Sequence, residues 1–389
     1  MNHDIRMAIV RPTGHVLSQG FYNVQEIGLA RGLSRCGVSV DVFVAGRGAV
    51  SCQPVEAPGS GEIRLFQVPF ITVPQIDHAL YPQLPDLLRR GEYRLIQVNE
   101  ENELTSYLVA RYGQRHGIPV VVYQGMYQQL TGRIRAAFQR CYDRVLLPSL
   151  RDALSLALAK TNRAREHMEG KGFGNVQVIP VGLDPTPFQQ GTERDWKAEL
   201  SISEAHAIVL YVGVFERRRN VDFLLDVAKQ LTGEAVTVVM AGDGPEFDRI
   251  SRRTAAERIG NVRVVGKIPQ QSLPSLYRQS SLFLLPSNYE IYGMVVLEAM
   301  YFGVPVLSTP TAGPRDVIES GVDGMLLDGL DEEAWGASIR ELLAKNALRL
   351  GMAEAAQRKV RESLTWDAVA REYCRKVIEP VLGSSRQAP

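Results

Sequence analysis

The sequence predicts an α/β protein made of two doubly wound parallel sheets in series. Short runs rich in Val, Ile and Leu alternate with longer segments of helical periodicity, the pattern of βαβ units. The alternation occurs twice, and between the two series lies GLDPTPFQQGT (Gly182–Thr192), where two prolines and two glycines interrupt both periods and mark a hinge. A chain of 389 residues has room for two such domains at about 150 residues each. Its composition is that of a globular protein: 45% hydrophobic and 22% charged residues exclude disorder, collagen and coiled coil. With 44 Lys and Arg against 43 Asp and Glu, the formal charge of +1 gives no global field for nucleic acid, so any charged partner is met locally.

In order along the chain, the first series has expected strands at Met7–Arg11, Val38–Ala45, Ile63–Val68, Leu95–Asn99, Pro119–Tyr123, Val145–Pro148 and Val176–Val181. Expected helices span Gly20–Arg35, Asn102–His116 and Arg133–Cys141. The second series has strands at Ala207–Val214, Ala235–Met240, Asn261–Val265, Leu282–Leu285, Pro305–Ser308 and Met325–Leu327, with helices starting near Asn220, Pro245, Ser272, Gly293, Pro314 and Asp331. The expected domains are 1–183 and 193–365. The amphipathic tail Trp366–Leu382 follows the last strand, and 366–389 is expected to pack back on the first domain. Cys36, Cys52, Cys141 and Cys374 form no CxxC pair and no metal-like spacing with histidine, which argues against a disulfide scaffold or structural zinc. No run of 18 apolar residues and no signal-peptide pattern occurs, so a cytoplasmic protein is expected, with contact at the inner face of the membrane as its one route to lipid.

Chemistry in open α/β sheets sits in the loops after the strands, and Ser287–Pro310 (SNYEIYGMVVLEAMYFGVPVLSTP) is the densest such stretch. It reads as a loop with Glu290, a helix opened by Gly293, and Glu298 within that helix. The free amides of Gly293, Met294 and Val295 form an anion site. Glu298, flanked by apolar residues, needs a donor to be tolerated; a pair of ligand hydroxyls is suitable.

Together with Leu297, Ala299, Gly303, Pro305 and Val306, with Ala241-Gly242-Asp243-Gly244-Pro245, with Gly266 and Pro269, and with Leu285-Pro286-Ser287, these residues resemble a retaining glycosyltransferase of family 4 with the GT-B architecture. That architecture implies two Rossmann-like domains facing a cleft. The resemblance spans the second domain and, more loosely, the first. It implies that Glu290 contacts donor-sugar hydroxyls and that Glu298 binds the ribose. The family's loop after the first strand of this domain carries glycine, arginine and lysine toward the diphosphate. Here Gly213 matches, Val214 stands at the arginine position and Arg219 at the lysine position. Arg219 is the expected clamp, a planar fork suited to phosphate. The second contact is either lost or moved to Arg217 or Arg218, which read equally as a solvated helix cap. Gly242 and Lys267 are further donor-side expectations.

In the first domain the family's glycine-rich loop falls on RPTGHVLSQG, pointing to Gly20 and less firmly to Gly14, with His15 as an acceptor contact or a solvated residue. Where the family often has a histidine, this chain has Gln124, which can donate to a sugar hydroxyl but cannot titrate. Glu100 and Glu101 either bind acceptor hydroxyls or belong to an acidic helix start. Leu130–Lys171 holds nine basic residues against four acidic ones, either a solvated surface or a face for anionic lipid.

The resemblance implies a nucleotide-diphosphate sugar donor, UDP- or GDP-linked by expectation. The acceptor is a glycan, a lipid-linked sugar or a small molecule. No cofactor is expected, nor a metal, since no Asp-x-Asp signature sits in a suitable loop. A nucleotide-sugar epimerase of the same architecture and a non-catalytic nucleotide-sugar-binding protein are the alternatives.

Overall fold

The computed structural model describes residues 5–16, 24–73, 76, 78–128, 132–189 and 191–384. The chain divides into two compact units, Met1–Gly182 with Thr365–Pro389, and Leu183–Leu364. In the first unit the strands are β1 (Ile5–Val10), β2 (Val38–Gly46), β3 (Ser51–Val55), β4 (Ile63–Pro69), β5 (Ile71–Val73), β6 (His78–Leu80), β7 (Leu95–Asn99), β8 (Val120–Gln124), β9 (Leu156–Ala159) and β10 (Gln177–Val178). Eight of them form one sheet in the order β10-β9-β8-β7-β1-β2-β4-β3, and β5 pairs with β6 in a separate hairpin. All neighbours in the large sheet run parallel except β3 against β4. Met7–Val10 in β1 and all of β7 and β8 are buried, as expected of strands covered by helices on both faces.

The second unit contains β11 (Ala207–Val212), β12 (Val236–Ala241), β13 (Val262–Val265), β14 (Ser280–Leu285), β15 (Val306–Ser308) and β16 (Gly324–Leu326). They form one parallel sheet in the order β13-β12-β11-β14-β15-β16. In each sheet the winding reverses beside the first strand of the unit, between β7 and β1 and between β14 and β11. Those reversals are where ligands of open α/β sheets bind.

The helix Trp366–Tyr373 belongs to the first unit and lies against the helix Gln25–Arg35. Glycine makes the approach possible: a Cβ on Gly28 would meet the Trp366 indole, and one on Gly32 would lie 2.4 Å from the Trp366 carbonyl oxygen. Trp366 is itself buried.

Three sequence expectations are corrected. Val145–Pro148 is not a strand but the junction of two helices, Arg133–Val145 and Leu147–Ala153. Leu147 and Leu150, three apart, are the buried residues there, so the run has helical and not strand periodicity. The strand of that βαβ unit is β9, in the neighbouring apolar run. The first helix starts at Gln25, not Gly20, whose position lies outside the described residues. Val176–Val181 contributes only the two residues of β10. The antiparallel edge β3 and the β5–β6 hairpin were not anticipated, because both are short and decided by pairing with distant residues.

Candidate functional site in the C-terminal unit

The site grows from two loops, one after β11 and one after β14. After Gly213 and Val214 the first loop winds into a single 3-10 turn, Arg217–Arg219, and leaves through Asn220 in the left-handed conformation (φ 50°). Asn220 tolerates that conformation better than most residues, and its Nδ2 donates to the Pro286 carbonyl at 2.6 Å. The Asn288 N–H donates to the Arg218 carbonyl at 2.8 Å, so the two loops are held together by backbone and side chain. The loop after β12 crosses close by. A Cβ on Gly242 (φ 146°) would lie 1.8 Å from the Gly213 carbonyl oxygen, so a side chain there would force the loops apart.

The three adjacent arginines are separated by this geometry. Arg217 extends into solvent, its side chain 93% exposed. Arg218 turns back, donating to the Tyr289 carbonyl at 2.7 Å and standing 3.8 Å from Glu290 Oε1. Arg219 is largely buried and forms a hydrogen-bonded ion pair with Glu290. Val214 is half exposed, and its carbonyl accepts from the Tyr211 hydroxyl at 3.0 Å. Arg218 therefore brings a cation to the loop in which position 214 supplies none. Glu290 is 4% exposed. Burial raises its pKa above the usual carboxylate value, and Arg219, Arg218 and Ser287 oppose that rise.

Gly293 takes the left-handed conformation (φ 78°) before the helix Met294–Tyr301, which has no side-chain cap. Its first amides, Met294 and Val295 among them, are available to an anion. Glu298, 1% exposed in the same helix, accepts a hydrogen bond at 3.0 Å from the hydroxyl of Tyr277, itself buried and stacked on Phe302. Tyr277 was missed by sequence reasoning, since nothing local ties it to a residue 21 positions away. Lys267 is exposed beside Gly266, whose carbonyl accepts from the Gly242 N–H.

In the N-terminal unit Glu100 sits at φ 58°, and its carboxylate accepts the N–H groups of Gly125 and Met126, both at 3.1 Å. Two expectations are corrected. Gln124 is 1% exposed and its amide is committed to backbone, accepting from the Glu101 N–H at 2.7 Å and donating to the Met126 carbonyl at 3.0 Å. It braces the loops after β7 and β8 and presents no group to a sugar. Glu101 turns inward, 1% exposed, and pairs with Lys171 at 2.6 Å. Burial outweighs that lysine and holds the Glu101 pKa above its usual value. His15 is exposed, and Gly20 lies outside the described residues. No described helix is long and apolar enough to cross a membrane. Among the described residues, no three His, Cys, Asp or Glu side chains are grouped to hold a metal ion.

The family model for glycosyl transferases group 1 matches residues 192–359, and that for Glycosyltransferase Family 4 matches residues 27–186. A D-inositol 3-phosphate glycosyltransferase of Corynebacterium urealyticum is 29% identical over 212 residues, 51% of this chain and 49% of that protein. An alpha-D-kanosaminyltransferase of Streptomyces kanamyceticus is 28% identical over 251 residues, 62% of this chain and 65% of that protein. The chain thus spans about half the length of the inositol phosphate enzymes it matches. Among solved structures, sucrose-phosphate synthase from Thermosynechococcus elongatus superposes with a TM-score of 0.73 at 19% identity, covering 98% of this chain and 100% of that one. Anabaena HepE, solved with UDP and glucose, gives 0.70 at 18% identity, covering 97% and 100%. With both of its units matched by glycosyltransferase models and its whole length following that architecture, the chain belongs to the family 4 glycosyltransferases of GT-B fold.

Proposed function

We propose that the protein moves a sugar from a nucleotide-diphosphate donor to an acceptor hydroxyl, with retention at the anomeric carbon and without a metal ion. The observation that carries the reading is the placement of Arg219, Arg218, Glu290 and the uncapped helix start at Gly293 on the loops after β11 and β14, where the second sheet reverses. In this reading Glu298 binds the ribose hydroxyls. Arg219 and the amides after Gly293 hold the diphosphate and offset the charge that grows on it as the sugar leaves. Glu290 orients the sugar. The acceptor oxygen bonds to the anomeric carbon on the face the diphosphate leaves, and the acceptor proton passes to the leaving phosphate oxygen, so no enzyme nucleophile is required. Binding energy goes into positioning.

Calorimetric titration with UDP, GDP, ADP and TDP, with and without Mg²⁺, tests the donor site. UDP comes first because HepE was solved with it. One diphosphate is expected to bind at micromolar concentration equally well in EDTA; binding by none overturns the reading. The relatives' names make D-inositol 3-phosphate the first acceptor to try, and the anomeric coupling constant of the product reports retention.

A membrane contact belongs to the same proposal. The helix Arg133–Val145 exposes Ile134 and Val145, each 63%, along with Arg133, Arg135, Arg140 and Arg144, the composition of a helix that lies on anionic lipid. The protein is expected to sediment with vesicles containing phosphatidylglycerol, not with pure phosphatidylcholine, and to be released by salt. Equal sedimentation with both would refute the contact.

A further inference from the structure

Cys36 and Cys374 come from near opposite ends of the sequence and meet within the N-terminal unit. The helices Gln25–Arg35 and Trp366–Tyr373 lead to them in register. A Cβ on Gly28 would meet the Trp366 indole, and one on Gly32 would fall 2.7 Å from the Ala370 Cβ, so the contact advances by four residues on both helices at once. A step of four stays on one helical face. The next step on both is Cys36 against Cys374, and there the Cys374 thiol donates a hydrogen bond to the Cys36 sulfur. The two glycines let the backbones approach closely, as a disulfide requires, since it spans only about 4.4–6.8 Å between Cα atoms. Arg35 pairs with Asp367 on the flank of the same contact.

The two thiols are unequal. Cys36, at the end of its helix, is half-buried; Cys374 is buried and opens a π-helical turn, Cys374–Ile378, a distortion common at functional sites. The hydrogen bond from Cys374 lowers the Cys36 pKa to about 7; burial opposes that fall, Arg371 supports it and Asp367 opposes it. The same hydrogen bond, then burial and the charges of Cys36 and Glu379, push the Cys374 thiol up. Cys36 is therefore the thiolate that attacks first. Beside Cys374, the Tyr373 hydroxyl donates to Gln97 at 2.7 Å, and Gln97 leads through Asn99 to Glu26 in the first turn of the helix Gln25–Arg35. The tail thus touches that helix at both of its ends.

We propose that Cys36 and Cys374 form a reversible disulfide that latches the C-terminal tail to the helix Gln25–Arg35 under oxidising conditions. With glutathione disulfide as the oxidant, the Cys36 thiolate attacks one of its sulfurs and expels a glutathione thiolate. Cys374 then attacks the Cys36 sulfur of the mixed disulfide, its proton passing to solvent, and expels the second glutathione. The two thiols lose two electrons and two protons, and glutathione disulfide becomes two glutathiones. In the mixed disulfide Cys36 carries no charge, so it no longer opposes ionisation of Cys374.

The test uses the full chain carrying Cys52→Ser and Cys141→Ser, which removes the two exposed thiols. It is equilibrated with graded ratios of oxidised to reduced glutathione, quenched with iodoacetamide and mapped by mass spectrometry of its peptides. The native protein is expected to link Cys36 to Cys374 at ratios about tenfold or more less oxidising than the urea-unfolded chain needs, because folding holds the sulfurs together. The linked form is expected to melt about 5 °C or more above the reduced form and to return to it in dithiothreitol. Adding Cys374→Ser is expected to leave only a glutathione adduct on Cys36, with no such rise. Linkage of native and unfolded chains at the same ratio, a native mixed disulfide that persists on Cys36 beside a free Cys374, or a linked form that melts no higher than the reduced one would each overturn the proposal.

Discussion

Replacing Glu298 by alanine is expected to weaken binding of the cognate nucleoside diphosphate by about a hundredfold. Two ribose hydroxyls donating to one buried carboxylate are together worth about 3 kcal/mol, and each 1.4 kcal/mol is a factor of ten. The side chain is 1% exposed and accepts from Tyr277, so its removal also takes away an acceptor from a buried hydroxyl and costs stability of about 1–3 kcal/mol. Two further variants separate binding from folding. Glu298→Gln keeps the volume and one accepting oxygen for Tyr277, and is expected to melt near the wild type while still binding nucleotide at least tenfold more weakly. Tyr277→Phe is expected to lose only a few-fold in affinity, because it leaves in place the carboxylate that the ribose would use. Calorimetry with near-native affinity in Glu298→Gln and Glu298→Ala would remove Glu298 from the donor site.

Arg219→Ala is expected to reduce turnover by about 10²–10³-fold, the effect of removing a donor aimed at charge that develops in the transition state. It is also expected to destabilise the fold by about 3 kcal/mol, because Glu290, 5% exposed at its side chain, is left as a buried carboxylate with Arg218 at 3.8 Å as its nearer remaining cation. The stability loss carries a pH signature. Glu290 is already raised above its reference value of 4.5 by burial, and Arg219 is the foremost opposing influence. Without Arg219 the folded-state pKa rises further, so the folded protein holds a proton that the unfolded chain releases. Its stability then falls as pH rises from about 4.5 through the new folded value. The melting-temperature gap between wild type and Arg219→Ala is expected to widen over that range. Adding Glu290→Gln is expected to close the gap without restoring turnover. A gap independent of pH would mean that the Arg219–Glu290 pair does not govern the stability of this loop. Arg219→Lys is not a neutral change, since one ammonium replaces a fork that can serve Glu290 and a phosphate together.

How far the sequence was legible depends on the range of the interactions. The α/β class, the alternation into two sheets and the strand-to-helix loop around Glu290, Gly293 and Glu298 follow from local periodicity and from residue types within 24 consecutive positions, Ser287–Pro310. Arg219 stands in the same kind of local pattern, and the structure pairs it with Glu290. What stayed hidden was decided by partners far along the chain. Val145–Pro148 has an apolar run that fits strand or helix equally, and the choice fell to which leucines had a core to enter. Gln124 and Glu101 have the right chemistry for a sugar site, yet a turn through the left-handed Glu100 points Glu101 at Lys171, 70 residues on, and Gln124 spends its amide on that same turn. Arg217 and Arg218 are neighbours of identical type, and only the loop after β14, brought alongside by Asn220 and Asn288, distinguishes an exposed arginine from one that reaches Glu290. Hydrophobic periodicity is a property of neighbours in sequence and sets the layers; the commitment of a polar side chain is a matter of which donor or acceptor lies within 3 Å, and only the folded chain decides that.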